Sequence, residues 1–162
     1  MSQIQIAFVE KSRAPGRAKL EEAVRALGFD LTIHESYQPF VSSGFLPCVL
    51  KGKKSGFEIL FESPDHILQS VPRLKEAIGS RDCVISLRWG GDMAECACVL
   101  IVSAALAKSF DAVVYYEDGD LLYTVDQLVK EAKETLPEVE SASRRHSPSL
   151  PAASIKPWWK LW

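Results

Sequence analysis

Apolar residues in the first part of the chain recur with two different periods, and these periods predict its strands and helices. They alternate with polar or small residues over positions 3–8, which is typical of a strand. They recur at helical spacing over positions 20–27, and Gly28 follows where glycine commonly ends a helix. The later strands are predicted over positions 31–34, 45–50, 57–61, 83–89, 112–116 and 121–123. With the helices between them, the predicted order is β-α-β-β-β-α-β-α-β-β-α.

Two turns in this order have the character of β-hairpins. A polar loop with glycines, residues 51–56, separates two extended segments, and Asp118-Gly119 separates two others. Because hairpins are mixed with strand–helix–strand units, we expect the α+β class, a single domain in which a mixed or antiparallel sheet is packed with helices.

The most apolar segment of the chain, Met93 to Ala107, is predicted to be a central buried helix. It is shorter than the roughly 18–20 residues that a bilayer span requires, so we expect no membrane insertion. Asp92 stands at the N-cap position and Glu95 follows three residues later, the pattern of a capping box. A helix that is apolar on every side belongs in the middle of a domain.

The last predicted helix begins with a second capping box, Thr124 and Gln127, and is expected to end at Pro137. We therefore predict an α+β domain over residues 1–137. Residues 138–162 are predicted to form a linker rich in Ser, Ala and Pro and a tail rich in tryptophan. Free indole rings expose a large apolar area, so the tail is expected to dock in a groove of this protein, of a second copy in a homo-oligomer, or of a partner.

Composition and charge narrow the class of protein. The 19 basic residues nearly balance the 21 acidic ones, which argues against general nucleic-acid binding, since that requires a marked basic excess. The N-terminus lacks the pattern of a secretory signal, and the four cysteines read as buried thiols rather than as a disulfide framework. Together these features predict a cytoplasmic protein.

The sequence contains no local motif for catalysis, metal binding or cofactor binding. Cys96 and Cys98 stand roughly 200° apart around a helix and therefore cannot share one metal ion. Gly90-Gly91 lies between a strand and a helix, but it belongs to neither a GxxxxGK[ST] nor a GxGxxG loop. We accordingly predict no catalytic, cofactor-binding or metal-binding residues, and we expect that the protein is not an enzyme.

The predicted partner-binding residues lie in the acidic hairpin and in the tail. Acidic residues at a hairpin tip are flanked by tyrosines, and tyrosine is favoured at interfaces because it combines area with a polar group. A solvated turn is the alternative for this tip. The predicted residues are Glu117, Asp118, Asp120, Tyr115, Tyr116, Trp158, Trp159 and Trp162.

Several stretches of the chain resemble small bacterial immunity proteins of polymorphic or type VI secreted toxin systems. The resemblance lies in texture and element order across roughly residues 44–135. The stretches that carry it are Gly44-Phe45-Leu46-Pro47-Cys48, Ser55-Gly56-Phe57-Glu58, Leu87-Arg88-Trp89-Gly90-Gly91-Asp92 before an alanine-rich helix, Asp111-Ala112-Val113-Val114-Tyr115, and Asp118-Gly119.

This resemblance implies a protein that binds a cognate toxin in the cytoplasm and neutralises it by occluding or distorting its active site. An acidic surface would then face a basic toxin, since complementary charge speeds encounter. One alternative is a small enzyme with a scattered site, in which Arg88, Asp92 and Glu58 converge at one end of the sheet. The other is an adaptor module that docks through its C-terminal tail.

Overall fold

The computed structural model describes the backbone of residues 2–145 and the side chains of residues 2–141. The predictions for Trp158, Trp159 and Trp162 lie outside these described residues. The strands are β1 (Gln3–Val9), β2 (Leu31–Ile33), β3 (Ser43–Leu50), β4 (Lys53–Glu62), β5 (Cys83–Trp89), β6 (Val113–Tyr116) and β7 (Leu121–Tyr123). The helices are α1 (Arg17–Ala26), α2 (Asp65–Ser70), α3 (Leu74–Ile78), α4 (Met93–Ser109) and α5 (Val125–Arg145), with a short 3₁₀ turn at Lys11–Arg13.

All seven strands form one antiparallel sheet in the order β2-β3-β4-β5-β1-β6-β7. The predicted α+β class is therefore confirmed. The sheet was expected to be mixed or antiparallel, and it is antiparallel. β1 lies between β5 and β6, although these strands are distant in the sequence. This placement makes β1 the strand on which the two halves of the sheet meet.

The two faces of the sheet are covered unequally. Ala7 and Val9 of β1 point to the inner face, where α1, α4 and α5 build the main core. Ile6 and Phe8 point to the outer face, as alternation along a strand requires. Of the described helices, α2 and α3 alone cover the sheet there, through Ile67, Leu74 and Ile78.

The predicted central helix is confirmed as α4, which α1 and α5 flank on the inner face. All ten residues from Ala97 to Leu106 are buried. The enclosed polar group Ser103 is satisfied, since its Oγ accepts a hydrogen bond from Gln5 Nε2 at 2.6 Å. Among the described helices, none is both long enough and apolar enough to cross a membrane.

The last helix does not end at Pro137, and that prediction is wrong. α5 continues through Pro137 to Arg145. Pro137 itself is exposed, while Leu136 and Val139 still pack against the core, so burial on both sides of the proline supports the helix. Beyond them, Glu140 forms an ion pair with Lys51 of the β3–β4 turn at 3.1 Å.

The first hairpin is also tighter than predicted. Leu50 pairs with Lys53, so the turn consists of Lys51 and Gly52 alone, and the rest of the expected loop belongs to β4. Lys51 and Gly52 both have positive φ, 50° and 80°, as a type I′ turn requires, and the twist of that turn matches the right-handed twist of the flanking strands.

A close approach between β3 and β4 fixes the form of the outer face. Gly56 has φ +150°, and a Cβ there would lie 2.4 Å from the Phe45 ring and from the Leu46 carbonyl oxygen. The Phe45 ring therefore lies flat over the glycine instead of standing away from the sheet. Among the residues that the structure describes, no helix covers this part of the outer face, and Phe45 is 40% exposed.

Shortening a buried side chain of α4 to alanine should destabilise the protein more than the same change at the exposed end of the helix. We expect Ile101→Ala to lower the free energy of unfolding by about 2–5 kcal/mol, because it leaves a cavity at a fully buried position. Lys108→Ala on the same helix is the control and should change it by less than about 0.5 kcal/mol. Chemical denaturation measures both values, and a loss below about 1 kcal/mol for Ile101→Ala would place α4 at the periphery.

Candidate functional site

One end of the sheet brings charged and aromatic side chains of several elements together beside two grooves. At this end β1 begins, β5 and β6 finish, and α4 starts after the Gly90-Gly91 turn. The register brings Gln3 beside Trp89 and Gln5 beside Tyr116. A groove opens here on each face of the sheet, and we call them the outer groove and the inner groove.

The outer groove has a volume of about 440 Å³ and lies over the part of the sheet that α2 leaves uncovered. Its floor is formed by alternate residues of β1 and β5, its walls by β3, β4 and α2, and one end by the β6–β7 hairpin. The lining residues are Ile4, Ile6, Ser43, Gly44, Glu58, Ile59, Leu60, Glu62, His66, Ile67, Ser86, Arg88 and Glu117.

Charged residues of both signs meet in the outer groove. Glu58 and Arg88 are direct cross-strand partners on β4 and β5, and both are exposed. Glu62 lies four residues along β4 from Glu58, and Ser86 donates to its carboxylate at 3.5 Å. The enzyme alternative placed Arg88, Glu58 and Asp92 together; the structure brings the first two into this groove. Asp92 is absent from the groove lining and caps α4 instead.

An exposed apolar rim borders the same groove. Leu60 lies in its wall and is 42% exposed, and Phe45 lies on the adjacent strand, opposite Glu58. The loop before β3 also exposes Phe40 to 48% and Val41 to 68%, but Phe40 contacts Phe61, whose side chain packs on the inner-face core. The exposed apolar side chains that border the outer groove are therefore Phe45 and Leu60, and adjacent exposed apolar side chains commonly mark an interaction surface.

The start of α4 adds two more carboxylates. Asp92 Oδ1 accepts hydrogen bonds from Ala94 N at 2.7 Å and Glu95 N at 3.3 Å, so it is the predicted N-cap. The predicted capping box is not completed in its usual form, because Glu95 Oε1 accepts from Gly90 N at 3.1 Å instead. Partial burial raises the pKa of Glu95, and the nearby charges of Asp92 and Glu58 raise it further, against the lowering effect of the Gly90 hydrogen bond. We refer to Glu58, Asp92, Glu95 and Glu117 as the acidic end.

The acidic hairpin is bound to the rest of the protein more firmly than a solvated turn. Asp118 Oδ2 accepts from the Ile4 backbone amide at 3.2 Å. Asp120 accepts from the Tyr115 hydroxyl at 2.5 Å and forms an ion pair with Arg73, and these two contacts lower its pKa. The Glu117 carboxylate accepts no hydrogen bond from any residue that the structure describes, and it lines the outer groove.

The two predicted interface tyrosines lie on opposite faces of the sheet. Tyr115 is 2% exposed within the outer-face core, so it positions Asp120 and offers no area to a partner. Tyr116 is half-buried on the inner face, stacked on Trp89 with ring centroids 6.2 Å apart, and its hydroxyl donates to Gln3 at 2.8 Å. A Cβ on Gly119 would lie 2.7 Å from the Tyr116 ring, so the hairpin tip packs directly on it.

The inner groove has a volume of about 320 Å³ and lies between the sheet and α5. Aromatic rings form part of its wall, and glutamates of α5 stand along its other side. The lining residues are Gln3, Gln5, Trp89, Cys96, Leu100, Tyr116, Tyr123, Glu131, Glu134, Thr135 and Glu138.

Carboxylates of α5 give the inner groove a negative potential. Burial, followed by the charges of Glu131 and Glu138, raises the pKa of the Cys96 thiol to about 11. Burial also raises the pKa of Tyr123, as does the hydrogen bond of its hydroxyl to Glu131. Both groups resist forming an anion, which is the expected effect of negative charge beside a partly buried acid.

The four cysteines do not assemble a metal site. Cys48, Cys83 and Cys98 are buried, Cys96 is half-buried, and all four are free thiols. Within the described part of the chain, no group of three or more His, Cys, Asp or Glu side chains lies close enough to hold a metal ion.

Most residues of the outer groove were not predicted as a site, although the sequence contains a signal for it. Glu58, Leu60 and Glu62 share one face of β4, and Ser86 and Arg88 share the same face of β5. Polar residues at every second position of otherwise apolar strands indicate an uncovered face. The position of Glu131 and Glu138 in the inner groove could not be predicted from the sequence, because it depends on how α5 packs beside Tyr123 and Cys96.

The raised pKa of Cys96 predicts an unusual pH profile for its alkylation. The rate with iodoacetamide should keep rising between pH 9 and pH 10.5, since the thiolate forms only as the pH approaches about 11. Glu131→Gln should shift the profile to lower pH by removing a repelling charge, whereas Glu22→Gln on the exposed face of α1 should leave it unchanged. Peptide mass spectrometry follows the reaction at Cys96, and a plateau near pH 9 in both variants would contradict this electrostatic account.

Comparison with protein-family models, with curated proteins and with solved structures gives no match to this chain. No residue role is therefore transferred from a relative, and the two grooves and the acidic end are the basis for assigning a function.

Proposed function

We propose that the protein is an immunity protein that binds a cognate toxin through its acidic end and neutralises the toxin by occluding its active site in the cytoplasm. The observation that carries this proposal is the outer groove, a part of the sheet that none of the described helices covers completely and where carboxylates lie beside exposed apolar side chains. The resemblance of residues 44–135 to immunity proteins supplies the class of partner.

The composition of the outer groove supports a protein partner. Interfaces combine aromatic and aliphatic anchors with arginine, surrounded by a polar rim. Phe45 and Leu60 provide exposed apolar area, and Arg88 provides a guanidinium whose donors suit a carboxylate or a backbone carbonyl. A rigid antiparallel sheet holds these side chains, which lowers the entropic cost of association.

The charge of the acidic end supports a basic partner. Partial burial is the main cause of the raised pKa of Glu95, and the negative charges of Asp92 and Glu58 add to it, so both carboxylates act on Glu95. A basic surface on the toxin would relieve this repulsion and would be attracted from a distance. Enzymes that act on nucleic acids carry such basic surfaces, so occlusion by an acidic protein would also exclude their substrate.

The proposal predicts protection in a growth assay. Expressed alone, the product of the gene directly upstream should arrest bacterial growth, and co-expression of this protein should restore it. Glu58→Lys with Glu117→Lys should reduce the association rate about tenfold or more at low salt and weaken protection, because both changes oppose the attraction of a basic surface. Colony counts and stopped-flow association of the purified proteins give the two measurements.

The matched control carries the same two charge reversals at other exposed glutamates, Glu22→Lys with Glu76→Lys. It should protect as well as the unmodified protein, and thermal melting should show that both double variants are folded. An upstream product that is harmless, an arrest that persists with the unmodified protein, or full protection by the Glu58 and Glu117 variant would each contradict the proposal.

A further inference from the structure

The inner groove is a second concave surface that the outer groove does not explain. The two grooves lie on opposite faces of the sheet but open at the same end. Gln3 and Tyr116 line the inner groove, and the residues that follow them, Ile4 and Glu117, line the outer groove. A partner that covers the end of the sheet therefore meets both openings.

The chemistry of the inner groove suits a cation with an apolar stem. Trp89, Tyr116 and Tyr123 form a connected set of rings, with neighbouring centroids 6.2 and 6.3 Å apart. Glu131, Glu134 and Glu138 recur on α5 at spacings of three and four residues, which place them along one side of the helix. Aromatic faces attract cations and accept methylene groups, and carboxylates supply the countercharge.

The volume of the groove limits what enters it. At about 320 Å³ it is at the small end of the range for ligand pockets, so one extended side chain suits it better than a folded segment. Within the groove, the hydroxyl donors of Tyr116 and Tyr123 are occupied, since they donate to Gln3 Oε1 and to Glu131. A ligand in this groove would therefore mainly contact the carboxylate oxygens, which accept hydrogen bonds, and the faces of the aromatic rings.

We propose that the inner groove receives one lysine or arginine side chain of the bound toxin, with its methylene stem along the aromatic rings and its cationic group against Glu131 and Glu138. This inference rests on the proposed function, because the toxin is the protein that presents the side chain. It assigns the second groove to the same partner as the first and makes the end of the sheet one continuous interface.

The pKa shifts around the groove agree with this arrangement. Glu131 contributes to raising the pKa of Cys96, Tyr116 and Tyr123, so its negative charge extends across the groove. A cation bound there would oppose those shifts. Cys96 lines the groove and is the least buried of the four cysteines, so it reports on charged molecules that enter.

Charged thiol reagents test the groove without the toxin. The probes are trimethylammonioethyl and sulfonatoethyl methanethiosulfonate, which are cationic and anionic and form the same kind of disulfide with a thiolate. The ratio of their rates at Cys96, divided by the same ratio for 2-mercaptoethanol, should favour the cation by roughly tenfold or more. Peptide mass spectrometry assigns the reaction to Cys96.

Neutralising two carboxylates should remove this preference. In Glu131→Gln with Glu138→Gln the normalised ratio should fall to within about threefold of unity. The higher thiolate fraction of that variant affects both reagents alike and cancels in the ratio. The control, Glu22→Gln with Glu76→Gln, should keep the preference of the unmodified protein.

The growth assay connects the groove to the toxin. The Glu131 and Glu138 variant should protect less well than the unmodified protein, while the Glu22 and Glu76 control should protect fully. A missing charge preference, a Cys96 that reacts with neither reagent, or full protection by the Glu131 and Glu138 variant would overturn this inference and leave the proposed function standing. Failure of the unmodified protein to protect would overturn the proposed function, and this inference with it.

Discussion

The burial of α4 is the constraint from which the rest of the structure follows. Ten consecutive buried residues leave this helix no face for solvent, so it must be enclosed on every side. The sheet covers one side, and α1 and α5 flank it on the others. The three long helices are thus all used on the inner face. Within the described part of the chain, the outer face receives only α2 and α3, of six and five residues, which are too short to cover it.

This unequal division of helices creates both grooves. On the outer face, the short helices protect Ile6, Phe8 and Val84 and leave the neighbouring rows of β4 and β5 open. On the inner face, α5 packs on α4 rather than on the sheet, and the inner groove lies between residues of α5 and the side chains of Trp89 and Tyr116. The site therefore lies at the edge of the packed core, as is usual for binding surfaces on a rigid scaffold.

Much of the fold was predictable from the sequence, because strong local signals agreed with the tertiary structure. Alternation in β1 and the apolar run of α4 gave the correct types of element, and Thr124 and Gln127 form the predicted reciprocal capping box, with hydrogen bonds of 3.2 and 2.8 Å. The end of α5 was not predictable, because a proline stops a helix locally while packing of Val139 against the core supports its continuation.

The site was much less predictable than the fold. Glu117 was identified from its local sequence, and it does line a groove. The hydrogen bond of Asp118 with Ile4 and the ion pair of Asp120 with Arg73 were not predictable, because these partners are far away in the chain. Tyr115 is buried and Tyr116 half-buried because their side chains occupy opposite faces of the sheet. That assignment follows from the register with β1 and cannot be made from a four-residue strand alone.

The most direct test of whether the end of the sheet binds the toxin is amide hydrogen exchange, measured on the free protein and on its complex with the upstream gene product. The two turns at that end, residues 90–92 and 117–120, should exchange more slowly in the complex than in the free protein. The 3₁₀ turn at Lys11–Arg13, beyond the other end of β1, should exchange at the same rate in both. Slower exchange at Lys11–Arg13, with no change in the turns at residues 90–92 and 117–120, would contradict the account.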